Sequence, residues 1–251
     1  MPRFILGLDL GQNSDFTALA VLEKSSLLDP KGYLVRDPDG RLLGMYDCIH
    51  LGRYPLGTPY PAIVADVAAL TRRSELKPAR GDSLALAIDQ TGVGGAVVDM
   101  FRREKMPAEV VGVMITSGSG SRWEEGGKKA FVSKIELVGL VQAGLQTGSL
   151  KIVPSLKLAS LLRTELLNFQ VKVTPSANEV FGSWREGAHD DLVLAVAMAA
   201  WLGEHQAAQA VVATSRRSPT PASRDRPTGP SHPLARSINQ KISYIKRMRG
   251  C

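Results

Sequence analysis

The residues of this chain best suited to chemistry are acids placed at the ends of apolar segments. Asp9 stands near the end of the run Phe4–Leu10, Asp89 closes Leu84–Ile88, and the pair Asp190-Asp191, preceded by His189, opens the apolar stretch Leu192–Leu202. A carboxylate within a greasy segment is expensive to desolvate unless something pairs with it. Each acid also has a plainer use: an aspartate at a strand end caps a turn, and one in the first turn of a helix is favoured by capping and by the helix dipole. Capping requires a single acid, however, and here there are two in succession. Neighbouring helical residues point about 100° apart, so one of the pair can face Asp9 and Asp89 while the other supports it.

Gathered carboxylates repel, and without a compensating cation one of them stays protonated. Mg²⁺ or Mn²⁺ removes the difficulty, because hard cations take oxygen ligands from a few carboxylates and keep waters for a phosphate substrate. Two such ions, about 4 Å apart, can activate a water and stabilise the leaving oxygen in phosphodiester hydrolysis. Asp15, across the turn after Asp9, is a candidate accessory acid at the rim, although turn capping fits it equally well.

These acids need elements to position them. Phe4–Leu10 reads as a strand that turns through Gly11-Gln12-Asn13-Ser14 into a second strand, Phe16–Glu23, forming a hairpin. A turn-rich insertion over 24–41 precedes a third strand, Leu42–His50. Apolar spacing predicts a helix over Ala62–Leu76. The continuous apolar runs Leu84–Ile88 and Glu109–Ile115 read as strands buried on both faces, separated by a helix that starts after Gly92, Gly94 and Gly95. Thr116–Gly127 is a long Ser/Gly loop of the sort that often carries function. Helices are expected at Lys128–Ala143, Leu156–Phe169 and Asp190–His205. The order predicts an α/β domain whose central mixed sheet opens with antiparallel strands and is flanked by helices. In such sheets ligands collect where strands end, so Asp9 and Asp89 become neighbours if their strands are adjacent and parallel.

Composition separates a body from a tail. The chain has 251 residues and a formal net charge of +7. Beyond residue 206 nine basic residues, Arg216 and Arg217 among them, face Asp225 alone, so the tail carries the whole positive excess. Its Pro, Ser and Arg content cannot bury enough surface to offset chain entropy, which predicts a folded unit over 1–205 and a disordered basic tail over 206–251. Cys48 and Cys251 are far apart and form neither a disulfide framework nor a structural zinc motif. Met1-Pro2-Arg3 leads into a strand rather than a signal sequence, and no apolar run has membrane-spanning length, so a cytoplasmic location is expected.

Four stretches together resemble the RNase H-like nuclease domain of the large terminase subunit, the DNA-packaging protein of tailed phages. They are Gly7-Leu8-Asp9-Leu10-Gly11 with Asp15; Ile88-Asp89-Gln90-Thr91-Gly92-Val93-Gly94-Gly95; the helix at Lys128 and Lys129 with Leu150–Phe169, including Glu165-Leu166; and Ala188-His189-Asp190-Asp191-Leu192-Val193-Leu194-Ala195. The resemblance covers about residues 4–203. It implies that Asp9, Asp89 and Asp190 ligate two Mg²⁺ or Mn²⁺ ions, with Asp191 assisting, in non-specific cleavage of concatemeric double-stranded DNA. It also implies that Lys128 and Lys129 lie beside the DNA backbone and that the host is a bacterial cell carrying a phage or prophage; the charge of the tail, Arg216 and Arg217 included, suits contact with a DNA backbone or with a partner. Large terminases carry an ATPase motor, but no Gly-x4-Gly-Lys-Ser/Thr loop occurs here: Gly126-Gly127-Lys128-Lys129 lacks the upstream glycine and the hydroxyl. A separate motor chain, a small terminase subunit and a portal are therefore the expected partners. Three rivals fit parts of the pattern. A Holliday-junction-resolvase relative shares fold and metals; an actin-like kinase would use Asp9-Leu10-Gly11-Gln12-Asn13-Ser14 as a phosphate loop; a catalytically inactive DNA-binding module would act through its tail.

Overall fold

A computed structural model describes residues 2–215 apart from 12–14, 30, 37–42, 80, 93, 125, 174–178 and 184–188. Its centre is an eight-stranded mixed sheet. The first three strands, β1 (Pro2–Asp9), β2 (Ala18–Ser26) and β3 (Gly44–Arg53), pair antiparallel in succession. β4 (Ser83–Asp89) then lies parallel to β1, β5 (Glu109–Thr116) parallel to β4, and β7 (Lys129–Ser133) parallel to β5. Two three-residue edge strands complete the order β6-β7-β5-β4-β1-β2-β3-β8: β6 (Ser121–Trp123), antiparallel to β7, and β8 (Leu150–Ile152), parallel to β3. A separate hairpin joins β9 (Phe169–Val173) to β10 (Glu179–Ser183).

Alternation along the central strands divides the core in two. Phe4, Leu6 and Leu8 of β1, with Leu84, Leu86 and Ile88 of β4, pack beneath α1 (Tyr60–Thr71) and α2 (Gly94–Arg103). Ile5, Ala85, Ala87, Val111 and Val113 point to the other face. That face is covered by α3 (Lys134–Thr147), α4 (Ala159–Asn168) and α5 (Asp191–Ser215). α5 is buried without a break from Leu192 to Leu202, which accounts for the absence of a polar face in its sequence. It lies so close to the sheet that a Cβ on Gly7 would come within 1.9 Å of the Ala195 carbonyl oxygen, so only glycine fits there.

Several expected boundaries move. The helix expected over Lys128–Ala143 is a strand followed by a helix: Lys129–Ser133 forms β7, and α3 begins only at Lys134, where the Ser133 hydroxyl accepts from Glu136 N. The Ser/Gly loop contains β6, which closes back on β7. Helix Ala62–Leu76 resolves into α1 and a separate 3-10 turn at Ser74–Leu76. α5 continues through Ser215, ten residues past His205; residues 216–251, including Arg216 and Arg217, lie outside the described residues. Among the described residues no helix is long and apolar enough to cross a membrane.

Candidate active site

Sheet register places the first two acids side by side. β1 and β4 are adjacent and parallel with Leu8 opposite Ile88, so Asp9 and Asp89 follow as the next pair. Leu8 and Ile88 point toward α1 and α2, and Asp9 and Asp89 therefore point to the α5 face. The same row extends across the antiparallel strands, with Asp9 opposite Ala18 of β2 and Ala18 opposite Arg53 of β3. Asp89, Asp9, Ala18 and Arg53 thus form one line across four strands on one face, and the small Ala18 leaves room above it. α5 begins over this line: Gly7 packs on Ala195, and Asp191 lies one helical turn earlier.

The turn after β4 fixes Asp89. Its Oδ1 accepts from Thr91 N at 2.8 Å, and Thr91 Oγ1 accepts from Ile115 N at 3.1 Å. A Cβ on Gly94 would lie 2.2 Å from the Asp89 carbonyl oxygen, so the glycine allows α2 to start directly behind the acid. Burial pushes the Asp89 carboxyl up, while hydrogen bonds from Thr91 and the Lys134 charge pull against it.

Asp9 is the least compensated acid. It is 7% exposed, and among the described residues no hydrogen-bond donor reaches its carboxylate. Its pKa is raised well above the ordinary carboxylate range, first by burial, then by the charges of Asp89, Asp191 and Asp190, with Lys134 opposing. All three other acids act on this one buried carboxylate, so the four belong to one cluster.

Capping does not explain the Asp190-Asp191 pair. The first free N–H groups of α5, on Leu192 and Val193, donate to Glu165 Oε2 at 3.0 and 3.3 Å. A residue of α4 therefore caps α5, and the two aspartates turn elsewhere. Asp190 Oδ2 accepts from Lys134 Nζ at 2.7 Å, and its carbonyl receives Leu194 N at 2.9 Å. Asp191 forms an ion pair with Arg53. Burial raises the Asp191 pKa, with Arg53 and His189 lowering it and Asp190 raising it. The Arg53 guanidinium also lies 3.6 Å from Glu165 Oε1 and 4.0 Å from the centroid of Phe16, which in turn meets His189 edge-on at 5.0 Å. Burial pushes Glu165 up to about 7, against the pull of Arg53 and the two N–H donors.

Asp15, Lys128 and Lys129 are not drawn into this cluster. Asp15 is exposed and lines a separate depression with Gly11, Thr17, Pro55 and Tyr60. Lys128 is exposed just before β7. Lys129 alternates with the buried Ala130, so it points to the face opposite Asp9; its Nζ lies 3.5 Å from Glu124 and 5.0 Å from the Phe131 ring. The residues the sequence did not mark are Lys134, Arg53 and Glu165. Lys134 opens α3 only in the structure; in a stretch read as one helix from Lys128 it carried no signal of its own. Glu165 had none beyond being an acid beside Leu166, because its role depends on α5 arriving from elsewhere in the chain.

Among the described residues, no group of three or more acids, histidines or cysteines stands ready-made to hold a metal ion. The donor chemistry nevertheless fits a hard divalent cation: four carboxylates, one of them buried without a donor and raised by the others.

Comparison with solved structures identifies the fold. The large terminase nuclease of the thermophilic phage G20c with bound magnesium superposes with a TM-score of 0.51 at 19% identity, covering 79% of this chain and 80% of that one. The same nuclease with bound cobalt gives the same TM-score, identity and coverage. The manganese-soaked human cytomegalovirus terminase nuclease domain gives a TM-score of 0.49 at 15% identity, covering 82% and 86%. No family model matches the chain, and no curated protein matches it in sequence. The fold is the RNase H-like one of large terminase nuclease domains, as the sequence predicts.

Proposed function

We propose that this chain is a divalent-metal-dependent DNA endonuclease that cuts concatemeric double-stranded viral DNA during genome packaging. The observation that carries the reading is the acid cluster itself. Asp9 and Asp89 stand side by side on adjacent parallel strands, beneath a helix start that brings two further aspartates and is capped by neither of them. An actin-like kinase would give the loop after Asp9 a purpose but none to Asp190 and Asp191. The likeness to terminase nucleases in fold adds support.

In this reading Asp9, Asp89 and Asp190 hold two Mg²⁺ or Mn²⁺ ions, with Asp191 assisting. When bound, such ions supply a water of lowered pKa and neutralise charge on the leaving oxygen. The protein's part is positional. The Thr91 hydrogen bond orients Asp89, α5 brings its two aspartates over β1, and Arg53 braces Asp191. Arg216 and Arg217 follow α5 in sequence, and α5 has 25 residues, or about 37 Å at 1.5 Å per residue. The charge of the basic tail suits electrostatic affinity for the DNA backbone. This reading calls for an ATPase motor, a small terminase subunit and a portal as partners in packaging.

Supercoiled plasmid tests this directly. Purified protein nicks and linearises plasmid with Mn²⁺ or Mg²⁺, without marked sequence preference, and chelator stops it. Metal-independent DNA binding without cleavage would replace the nuclease with an inactive binding module. Cleavage confined to four-way junctions would favour the resolvase relative.

A further inference from the structure

We infer that Lys134 is a resident cation of the acid cluster, one that a divalent ion must displace from Asp190, so that this lysine sets the metal affinity of the site. The inference rests on the metal-binding reading above and adds to it a competitor built into the chain.

Placement is the first argument. Lys134 is the first residue of α3, where the helix dipole disfavours positive charge. A local rule broken without a local gain points to a role in the site. That role is visible in the contacts: Nζ lies 2.7 Å from Asp190 Oδ2, and the same charge acts on both Asp9 and Asp89. One ammonium is thus in contact with Asp190 and close enough for its charge to act on Asp9 and Asp89.

The second argument separates Lys134 from Arg53. The Arg53 guanidinium is held by Asp191, by Glu165 at 3.6 Å and by the Phe16 ring at 4.0 Å, and its side chain is 14% exposed. It is a fixed brace. Lys134 is anchored by Asp190, lies 5.6 Å from the Phe169 ring centroid, and is 22% exposed. A flexible four-carbon stem bearing a compact charge can withdraw toward solvent with little rearrangement, whereas a planar guanidinium wedged between partners cannot. The carboxylates of Asp9, Asp89, Asp190, Asp191 and Glu165 outnumber these two cations, so the cluster still attracts a divalent ion. The Asp190 oxygen that accepts from Nζ cannot serve that ion until the lysine withdraws.

Mn²⁺ affinity, measured by calorimetry on the full chain without DNA, tests the inference independently of cleavage. Lys134→Gln should bind Mn²⁺ about tenfold more tightly than wild type, since one nearby positive charge is gone. Lys134→Arg, which keeps the charge, should stay within about twofold. Lys134→Met retains the stem and should behave as Lys134→Gln does, which guards against a perturbed helix start. Equal or weaker binding by the Gln and Met variants would overturn the inference, as would no Mn²⁺ binding by any variant. Tighter binding by those variants alongside a wild type that cuts no DNA would leave Lys134 as the competitor and overturn only the nuclease reading.

Discussion

Asp9→Asn abolishes metal-dependent cleavage while making the protein more stable in chelator. The loss follows from position: Asp9 is the buried carboxylate on which the charges of Asp89, Asp191 and Asp190 all act. Removing the charge that anchors the metal forfeits several kcal/mol of transition-state stabilisation, or about a thousandfold or more in rate. The gain in stability has the same origin. A buried carboxylate repelled by three others destabilises the native state, and a neutral amide of the same shape does not. A rise of roughly 3–6 °C in thermal midpoint corresponds to about 1–2 kcal/mol in a domain of this size.

The sign of the pH dependence separates this from a packing effect. Asp9 keeps its proton in the folded protein to a higher pH than in the unfolded chain. Its contribution is fully present below the unfolded carboxylate pKa and is lost as pH rises toward the raised folded value. In chelator the wild-type midpoint therefore falls with rising pH across that window, and Asp9→Asn flattens the slope. Differential scanning calorimetry between pH 4 and pH 8 reads both. A mutant that keeps the wild-type slope would detach Asp9 from the cluster.

The second large effect is structural. Glu165→Ala removes the acceptor for the Leu192 and Val193 N–H groups and one of the two carboxylates beside Arg53. Breaking a buried, hydrogen-bonded charge pair from one side costs about 3–5 kcal/mol, because the partners left behind stay buried. Glu165→Gln keeps an oxygen for the two donors and resembles the acid below its pKa of about 7, so it should cost about 1 kcal/mol or less near neutral pH. Urea denaturation of the two variants measures the difference. Equal costs would mean that the charge beside Arg53 carries the whole effect and that capping α5 contributes little.

The distinction between what the sequence revealed and what it hid follows the range of the interactions. Asp9 and Asp89 were legible because each ends an apolar run, and the two runs proved to be adjacent parallel strands. The helix after Asp190 was legible because it has no polar face. The cations were not. Lys134 lay inside a stretch read as one helix, because Lys129-Ala130-Phe131-Val132 is too short for its strand alternation to outweigh the helical pattern that follows. Arg53 reaches Asp191 across 138 residues, and Glu165 reaches the start of α5 across 27, distances over which no local pattern carries information. The same limit left the three-residue strands β6 and β8 unpredicted, since their pairing comes from the sheet rather than from their own composition.

The central claim is that Asp9, Asp89 and the start of α5 form a metal centre, and anomalous diffraction from a crystal soaked in Mn²⁺ tests it most directly. The account predicts an anomalous peak about 2.1 Å from carboxylate oxygens of Asp9 and Asp89, with Asp190 or Asp191 completing the set. Manganese bound only elsewhere, with Asp9 still without a partner, would contradict it.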